Sequence, residues 1–476
     1  MPSLLWVVLA SLATALLCYS QAVAYFGNES FHLLASQLIL AGKKPYVDFF
    51  YQHPPLFAYI NAAWMRIFGE NWRSAHVLSA LLTSGCIVTV AGYVHARLGD
   101  SSLRTPITAT VAALIGLNFY VVCYGNVALP FAICLLLTVA AFRLTTVAVR
   151  KNETMIPFIA GLAAGSAATS SLLTAPVLVI LFVWLGINVQ RSKRVRHCLS
   201  FAAGAMLPFL PLVLLGLKAP GPVFFDLVTY HLFYRAGSDG SMIRWNLREI
   251  LDWFVSIQGF VLVGLALVGL AFVVKRRELS SERRQESYLC AVLLVVLMVY
   301  FATPRPTFSF YFVLVTPFVA ILAANGLEFL GKSGWFRGRR VWVISVMVGV
   351  YFTGLGWQVN KMRREIFHAD HRTIEEIASL INQVTPADGW VFAFEQVYFE
   401  AQRMPPPGME NGFNPYSRGD EWLAANRFAT VCVMANDPRV KSLNLFRRYA
   451  NNKTLVSPNF TVYLFWNRLI SPSEPP

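Results

Sequence analysis

Two carboxylates stand near each other just after the first apolar run: Glu29, in Gly27-Asn28-Glu29-Ser30-Phe31-His32, and Asp48, in Lys43-Lys44-Pro45-Tyr46-Val47-Asp48-Phe49-Phe50-Tyr51-Gln52-His53-Pro54-Pro55-Leu56. A carboxylate so placed can take the proton of a hydroxyl nucleophile, which is general-base work. Close to hydrocarbon it is costly unless it has partners, with roughly 2.5 to 3.5 kcal/mol for Asp at a span centre, so its presence there points to function. Spacing alone leaves a second reading open, in which Glu29 caps the helix that begins beside it and Asp48 pairs with Lys43 or Lys44 in a solvated loop. Cations make up the other half of the chemistry. His231 and Arg235 stand four apart in Phe224-Phe225-Asp226-Leu227-Val228-Thr229-Tyr230-His231-Leu232-Phe233-Tyr234-Arg235, where Arg235 can meet a lipid phosphate or serve as a snorkelling anchor. Arg305 is the one charge in Thr303-Pro304-Arg305-Pro306-Thr307, shortly before Tyr311. Its planar fork suits phosphate, because it donates two parallel hydrogen bonds.

The elements that carry these residues follow from periodicity. Residues 27–42 put Glu29, His32 and Ser36 on one helical stripe and Phe31, Leu34 and Leu38 on another, which predicts an amphipathic helix lying along a membrane interface and ended by Gly42. The prolines that follow block helix, and the aromatics among them suit headgroup depth. Residues 224–235 read as a second interfacial helix.

The rest of the chain is built to sit in a membrane. Of its 476 residues 56% are hydrophobic and only 14% charged, with a mean hydropathy of +0.52, against about 25% charged in ordinary globular domains. Apolar runs long enough to cross a bilayer begin near residues 4, 75, 105, 127, 157, 174, 199, 254, 288, 308 and 340, which predicts about eleven spans. The stretch 157–189 is the least clear, since only Thr169-Ser170-Ser171 separates two helices there. Ala22-Val23-Ala24 resembles a signal cleavage site, but no basic segment precedes it and the run from Leu4 is long enough to span, so a retained first helix is expected.

The net charge of +15 falls in short clusters between apolar runs rather than on one patch, which is a topology signal and not the footprint of a nucleic-acid binder. Alternate loops carry Arg97 and Arg104, then Arg143, Arg150 and Lys151, then Arg191 to Arg196, then Lys275 to Arg284, then Lys332 to Arg340. Lys and Arg resist translocation, so these loops are expected in the cytoplasm. The N-terminus would then be cytoplasmic, while the long loops 25–74 and 218–252 and the tail share the periplasmic side, where nucleotide sugars and ATP are absent. The seven cysteines are scattered, with no CxxC and no His partner at ligand spacing, so neither a zinc site nor a disulfide framework is expected.

The sequence divides into a membrane module, 1–357, and a tail, 358–476. In the tail a helix is expected near 371–383, a strand at Trp390 to Phe394, a helix around 396–403, a strand at Thr430 to Met434, a helix from Pro438 and final strands ending at Phe465. That is a small extracytoplasmic α/β domain. It has no GxGxxG, P-loop or Ser-His-Asp spacing, and Pro405-Pro406-Pro407-Gly408 reads as a rigid turn. Shaping an acceptor site is the role expected of it.

Gly42, Pro45, Tyr46, Asp48, Pro54, Pro55 and Leu56, in that order after a first span, resemble the first outer loop of GT-C glycosyltransferases. The likeness is closest to the bacterial group related to protein mannosyltransferases and to the lipid A aminoarabinose transferase. The likeness is close over about thirty residues, 27–56, and looser over the many-span architecture with an outer C-terminal domain. Arg305, with Tyr311 and Pro317 after it, resembles the family's late basic residue before a span. The resemblance implies a polytopic α-helical GT-C-like fold, a polyprenyl-phosphate sugar donor and a lipid, glycan or protein acceptor. Where such enzymes carry Asp-Glu, this chain has Asn28-Glu29, so the base is Glu29, or Asp48, or activity is lost; Glu29 is the expected base, with Asp48 the second catalytic carboxylate. Arg305, Lys43, Lys44 and His53 are the expected donor-phosphate and lipid contacts, joined by Tyr311, His231 and Arg235.

The function this reading leads to is a glycosyltransferase of the inner membrane. It moves a sugar from its lipid carrier to an acceptor hydroxyl, a carboxylate taking the proton while a cation meets the phosphate. A single phosphate needs a divalent metal less than a diphosphate does, and a metal stays an open possibility. The alternatives are a lipid or solute transporter, for which no internal repeat or paired broken helices are legible, and a non-catalytic protein of this architecture disabled at Asn28.

Overall fold

The computed structural model describes residues 2–23, 27–235, 241–276, 279–303, 306–332, 340–362, 371–458 and 460–469. Each apolar run in the sequence is helical. The helices are Pro2–Ala22, Trp72–Arg97, Arg104–Gly116, Phe131–Ala148, Met155–Ser170, Ala175–Asn188, the segmented stretch 191–218, Ile257–Lys275, Ser281–Phe301, Thr316–Lys332 and Arg340–Met362. Six of them are long and apolar enough by themselves to cross a bilayer, which makes the chain a multi-pass membrane protein; length and composition do not by themselves carry the expected eleven crossings. Ser171, in extended conformation, separates the helices on either side of it, so 157–189 is two helices.

The run expected to start a span near 308 begins later. Ser309–Leu314 is a short 3₁₀ helix, and the long helix starts at Thr316, where Pro317 is tolerated because the first helical N–H groups have no intrahelical partner. All of Phe310 to Leu314 is buried. Elsewhere close packing rests on glycine. A Cβ at Gly161 or Gly165 would overlap the carbonyl oxygens of Phe201 and Ala205, and one at Gly204 that of Phe158, so Met155–Ser170 and Arg194–Met206 approach backbone to backbone, as small residues permit in lipid.

The two ends of the bundle differ in chemistry. At one end Glu286 takes Arg97, Arg150 and the Tyr93 hydroxyl, and Glu328 takes Arg283 and Lys332, so several of the clustered cations fold back onto two buried carboxylates. The other end carries both long loops and the tail.

The helix Asn28–Leu40 does not lie along an exposed interface as expected. Every residue from Glu29 to Leu38 is buried, because the tail covers it: Ser30 Oγ donates to Gln396 Oε1 at 3.0 Å, and Phe31, Leu34 and Leu38 pack in one cluster with Ile377, Val397 and Tyr398 of the tail. The polar stripe is paired inside, with Asn61 donating to Ser36 Oγ at 3.2 Å. Gly42, at φ +84°, ends the turn that follows, a conformation glycine adopts without a Cβ clash. Phe225–Tyr234 is a π-helix, more widely wound than the α-helix expected.

The tail is α/β. Helix His371–Val384 precedes β1 (Val391–Phe392), and β2 (Thr430–Met434), β3 (Tyr449–Val456) and β4 (Thr461–Arg468) follow in a sheet of order β1-β2-β4-β3. β1 and β2 run parallel, while β2–β4 and β3–β4 are antiparallel. The helix placed around 396–403 spans Glu395–Glu400, and a helix not expected, Gly419–Ala424, lies between β1 and β2. The last membrane helix runs to Met362, past residue 357.

Candidate functional site

The Asn28–Leu40 helix, the loop after it, the π-helix Phe225–Tyr234 and the Ser309–Leu314 segment converge on a cavity of about 400 Å³. His32 and His53 from the first loop, His231 and Arg235 from the second, and Tyr311 line it. Its apolar wall includes Leu129, Phe131, Leu172, Leu227, Phe308 and Phe310. Such a space, apolar with a few convergent polar groups, is the usual form of a ligand site.

Second-loop geometry fixes the cation. His231 Nε2 donates to the Gln52 carbonyl at 2.7 Å, because a carbonyl can only accept. That leaves Nδ1 as an acceptor facing Arg235 Nη1 at 3.4 Å. Arg235 Nη2 donates to the Tyr311 hydroxyl at 2.8 Å, and the guanidinium lies 5.6 Å from the Phe308 ring centre. Among the described residues Arg235 meets His231, Tyr311 and Phe308 but no carboxylate, and no carboxylate lines the cavity. The two loops are tied together behind this wall, where the Tyr51 N–H donates to Asp226 Oδ2 at 2.9 Å. Burial pushes the Asp226 carboxyl up to about 7, with the Tyr51 N–H opposing it.

The imidazoles sit in a row. His32 and His53 ring centres are 5.0 Å apart, and His53 and His231 are 6.3 Å apart. His32 Nδ1 is hydrogen-bonded to the Tyr51 hydroxyl at 2.8 Å, and burial lowers its pKa to about 3. His231 is lowered by burial and by Arg235, with the Gln52 carbonyl opposing. His53 is held well below the usual imidazole range, first by burial, then by His32, His231 and Arg235. No group of three or more His, Cys, Asp or Glu among the described residues is arranged to hold a metal ion.

Of the residues singled out from sequence, His53, His231, Arg235 and Tyr311 meet at this cavity. Arg305 lies outside the described residues, and Thr303 and Pro306, on either side of its turn, line the cavity. Lys43 and Lys44 are exposed and are not part of the lining. Asp48 is also exposed; its Oδ2 accepts the Lys44 N–H at 2.7 Å, so it pairs with the backbone of Lys44 and closes a turn in which Tyr46 has φ +66°.

Glu29 is 1% exposed and makes no side-chain cap to its own helix. Its Oε1 meets His76 Nε2 and accepts the Ala128 N–H at 2.8 Å, while His76 Nδ1 donates to the Ser20 carbonyl at 2.7 Å. The cavity wall at this point is Asn28, and Glu29 is not part of it. To deprotonate a hydroxyl in the cavity, Glu29 has to leave His76 and Ala128. Sequence reasoning passed over His32, which shares a stripe with Glu29, and His76 and Phe413. Phe413 reaches the cavity from the tail, and nothing in its local sequence signals that.

The family described as dolichyl-phosphate-mannose-protein mannosyltransferase matches residues 52–215. No curated protein matches the chain by sequence. Among solved structures, ArnT from Cupriavidus metallidurans in its apo state is similar at a TM-score of 0.66 and 14% identity, over 98% of each chain. The same protein bound to undecaprenyl phosphate is similar at 0.64 and 13% identity, over 96% of this chain and 97% of that one. The chain thus shares the fold of ArnT over nearly its whole length, and its family match covers residues 52–215.

Proposed function

We propose that this protein is an integral membrane glycosyltransferase that takes a sugar from a polyprenyl-phosphate carrier and passes it to a hydroxyl of a lipid, glycan or protein on the periplasmic face of the inner membrane. One observation carries the reading: Arg235 is aimed into an apolar cavity with two neutral neighbours and no carboxylate among the described residues. A half-buried cation against an apolar wall, with no carboxylate partner among the described residues, is free to join a phosphate by charge-assisted hydrogen bonds. The apolar wall gives an isoprenoid chain a path to the same point. Similarity to a protein solved with undecaprenyl phosphate supports this donor class.

In this reading Arg235 holds the donor phosphate and stabilises the charge that builds on it as the anomeric C–O bond breaks. Tyr311 and His231 set the guanidinium's plane. Asp48 shapes the first loop, and Glu29 fixes the backbone at Ala128, whose neighbour Leu129 is cavity wall. The exposed Lys43 and Lys44 suit the lipid headgroup zone. The cations gathered at the end opposite the loops support a cytoplasmic N-terminus and a periplasmic tail.

Binding of undecaprenyl phosphate to the purified protein, followed by native mass spectrometry, tests this. Hydrogen bonds to a charged group contribute about 1.5 to 3 kcal/mol, so Arg235→Met is expected to weaken binding roughly 10- to 100-fold. Equal binding by the wild type and R235M refutes the assignment.

A further inference from the structure

The cavity holds a phosphate-binding cation but, among the described residues, no carboxylate to receive the acceptor's proton. What it holds instead is His53. That side chain is partly exposed to the cavity, stacked on Phe31 at 5.5 Å. His32 and His231 spend ring nitrogens on Tyr51, Gln52 and Arg235. Neither ring nitrogen of His53 has a hydrogen-bond partner among the described residues, and only its backbone carbonyl is engaged, by the Tyr46 hydroxyl at 2.6 Å. Resting on the glycosyl-transfer reading above, we propose that His53 is the catalytic base of this protein, taking the proton of the acceptor hydroxyl beside the phosphate held by Arg235.

The step balances. The acceptor oxygen forms its bond to the anomeric carbon as its proton passes to a ring nitrogen of His53. The bond from the anomeric carbon to the phosphate oxygen breaks, and its electron pair leaves with the polyprenyl phosphate, which gains one negative charge beside Arg235. The product complex therefore contains an imidazolium next to a phosphate monoester. The groups facing His53 are His32 and Tyr51 from the first loop and His231 and Arg235 from the second. Without lipid, burial first and then His32, His231 and Arg235 keep the ring neutral, the form that can accept. Phosphate reverses the field by offsetting Arg235, so binding of the lipid product and of a proton reinforce each other.

That linkage is measurable without knowing the sugar, because undecaprenyl phosphate is the product of any transfer of this kind. Calorimetry of its binding to the full-length protein in nanodiscs, at pH 7 in buffers of different ionisation enthalpy, gives the protons exchanged. His53→Gln is expected to bind the lipid and to take up measurably less proton than the wild type. In the unsubstituted protein, hydrogen exchange at the imidazole C2 carbon, read by peptide mass spectrometry, is expected to show the His53 midpoint rising by at least about one pH unit when the lipid is added, more than His32 or His231. Equal proton uptake by the wild type and H53Q, or an unmoved His53 midpoint with lipid bound, overturns the proposal while leaving the donor assignment standing. If H53Q does not fold, the midpoint in the unsubstituted protein decides. Absence of lipid binding by the wild type removes the transfer reading, and His53 as its base with it.

Discussion

The pair Glu29–His76 offers a test of what the first-loop carboxylate does. The Ser20 carbonyl requires a proton on His76 Nδ1, which turns Nε2 toward Glu29 Oε1. At 1% and 0% exposure both partners are desolvated. Truncating either removes a buried partner from the other, which costs about 3 to 5 kcal/mol for a buried pair. Glu29→Ala and His76→Ala are therefore each expected to destabilise by that amount, and the double variant by little more than either single, a coupling of about 3 kcal/mol or more. Glu29→Gln keeps an oxygen for the Ala128 N–H, so its loss is about one satisfied buried group, roughly 1 to 3 kcal/mol. Reversible unfolding in mixed micelles measures these differences, with undecaprenyl phosphate affinity as a second readout of the cavity wall near Ala128. Additive single losses, or a neutral E29A, refute the strut. A catalytic base has another signature: E29Q would keep full stability, lose about 10² to 10⁴ in transfer rate, and leave H76A active.

Three further outcomes are expected. The Asp226 carboxyl, raised to about 7 by burial, is favoured protonated in the fold, so the stability it contributes is complete below its unfolded pKa of 3.8 and is lost as pH rises through 7; thermal stability of the wild type should fall between pH 6 and 8 more steeply than that of Asp226→Asn, and parallel curves count against this. Gly161→Leu should force apart the helices Met155–Ser170 and Arg194–Met206, since a side chain there meets the Phe201 backbone, and cost at least about 1 to 3 kcal/mol; size-exclusion recovery after heating would show it, and unchanged recovery contradicts the packing. Cysteines introduced at the exposed Ser417 and Ser281 should react with an impermeant maleimide on the periplasmic side only at Ser417; labelling only at Ser281 reverses the topology and the function argued from it.

Much of the architecture is local and was legible in the chain. Apolar runs form helices because lipid leaves backbone groups no other partners, and the alternation of short apolar strands with polar helices predicted the tail's order from His371–Val384 through β2, apart from the helix Gly419–Ala424. Gly42, Pro45 and Ser171 mark breaks by their own backbone preferences. Even four of the cavity's polar residues, His53, His231, Arg235 and Tyr311, were recognisable by type.

What the sequence could not decide is rotation and partnership. Neighbouring residues of a helix point about 100° apart, and here Asn28 faces the cavity while Glu29 faces His76 and Ala128. Which one does depends on how the Asn28–Leu40 helix is clamped, by the tail on one side and by His76 and Ala128 on the other, groups brought together only when the bundle closes. The same closure buries a helix whose amphipathic pattern reads as interfacial, turns the start of an expected span into the cavity-lining Ser309–Leu314 segment, and brings Phe413 from the tail to the site. Side-chain type is written residue by residue, but whether a carboxylate acts on a substrate or braces a backbone is set by contacts between segments far apart in the chain.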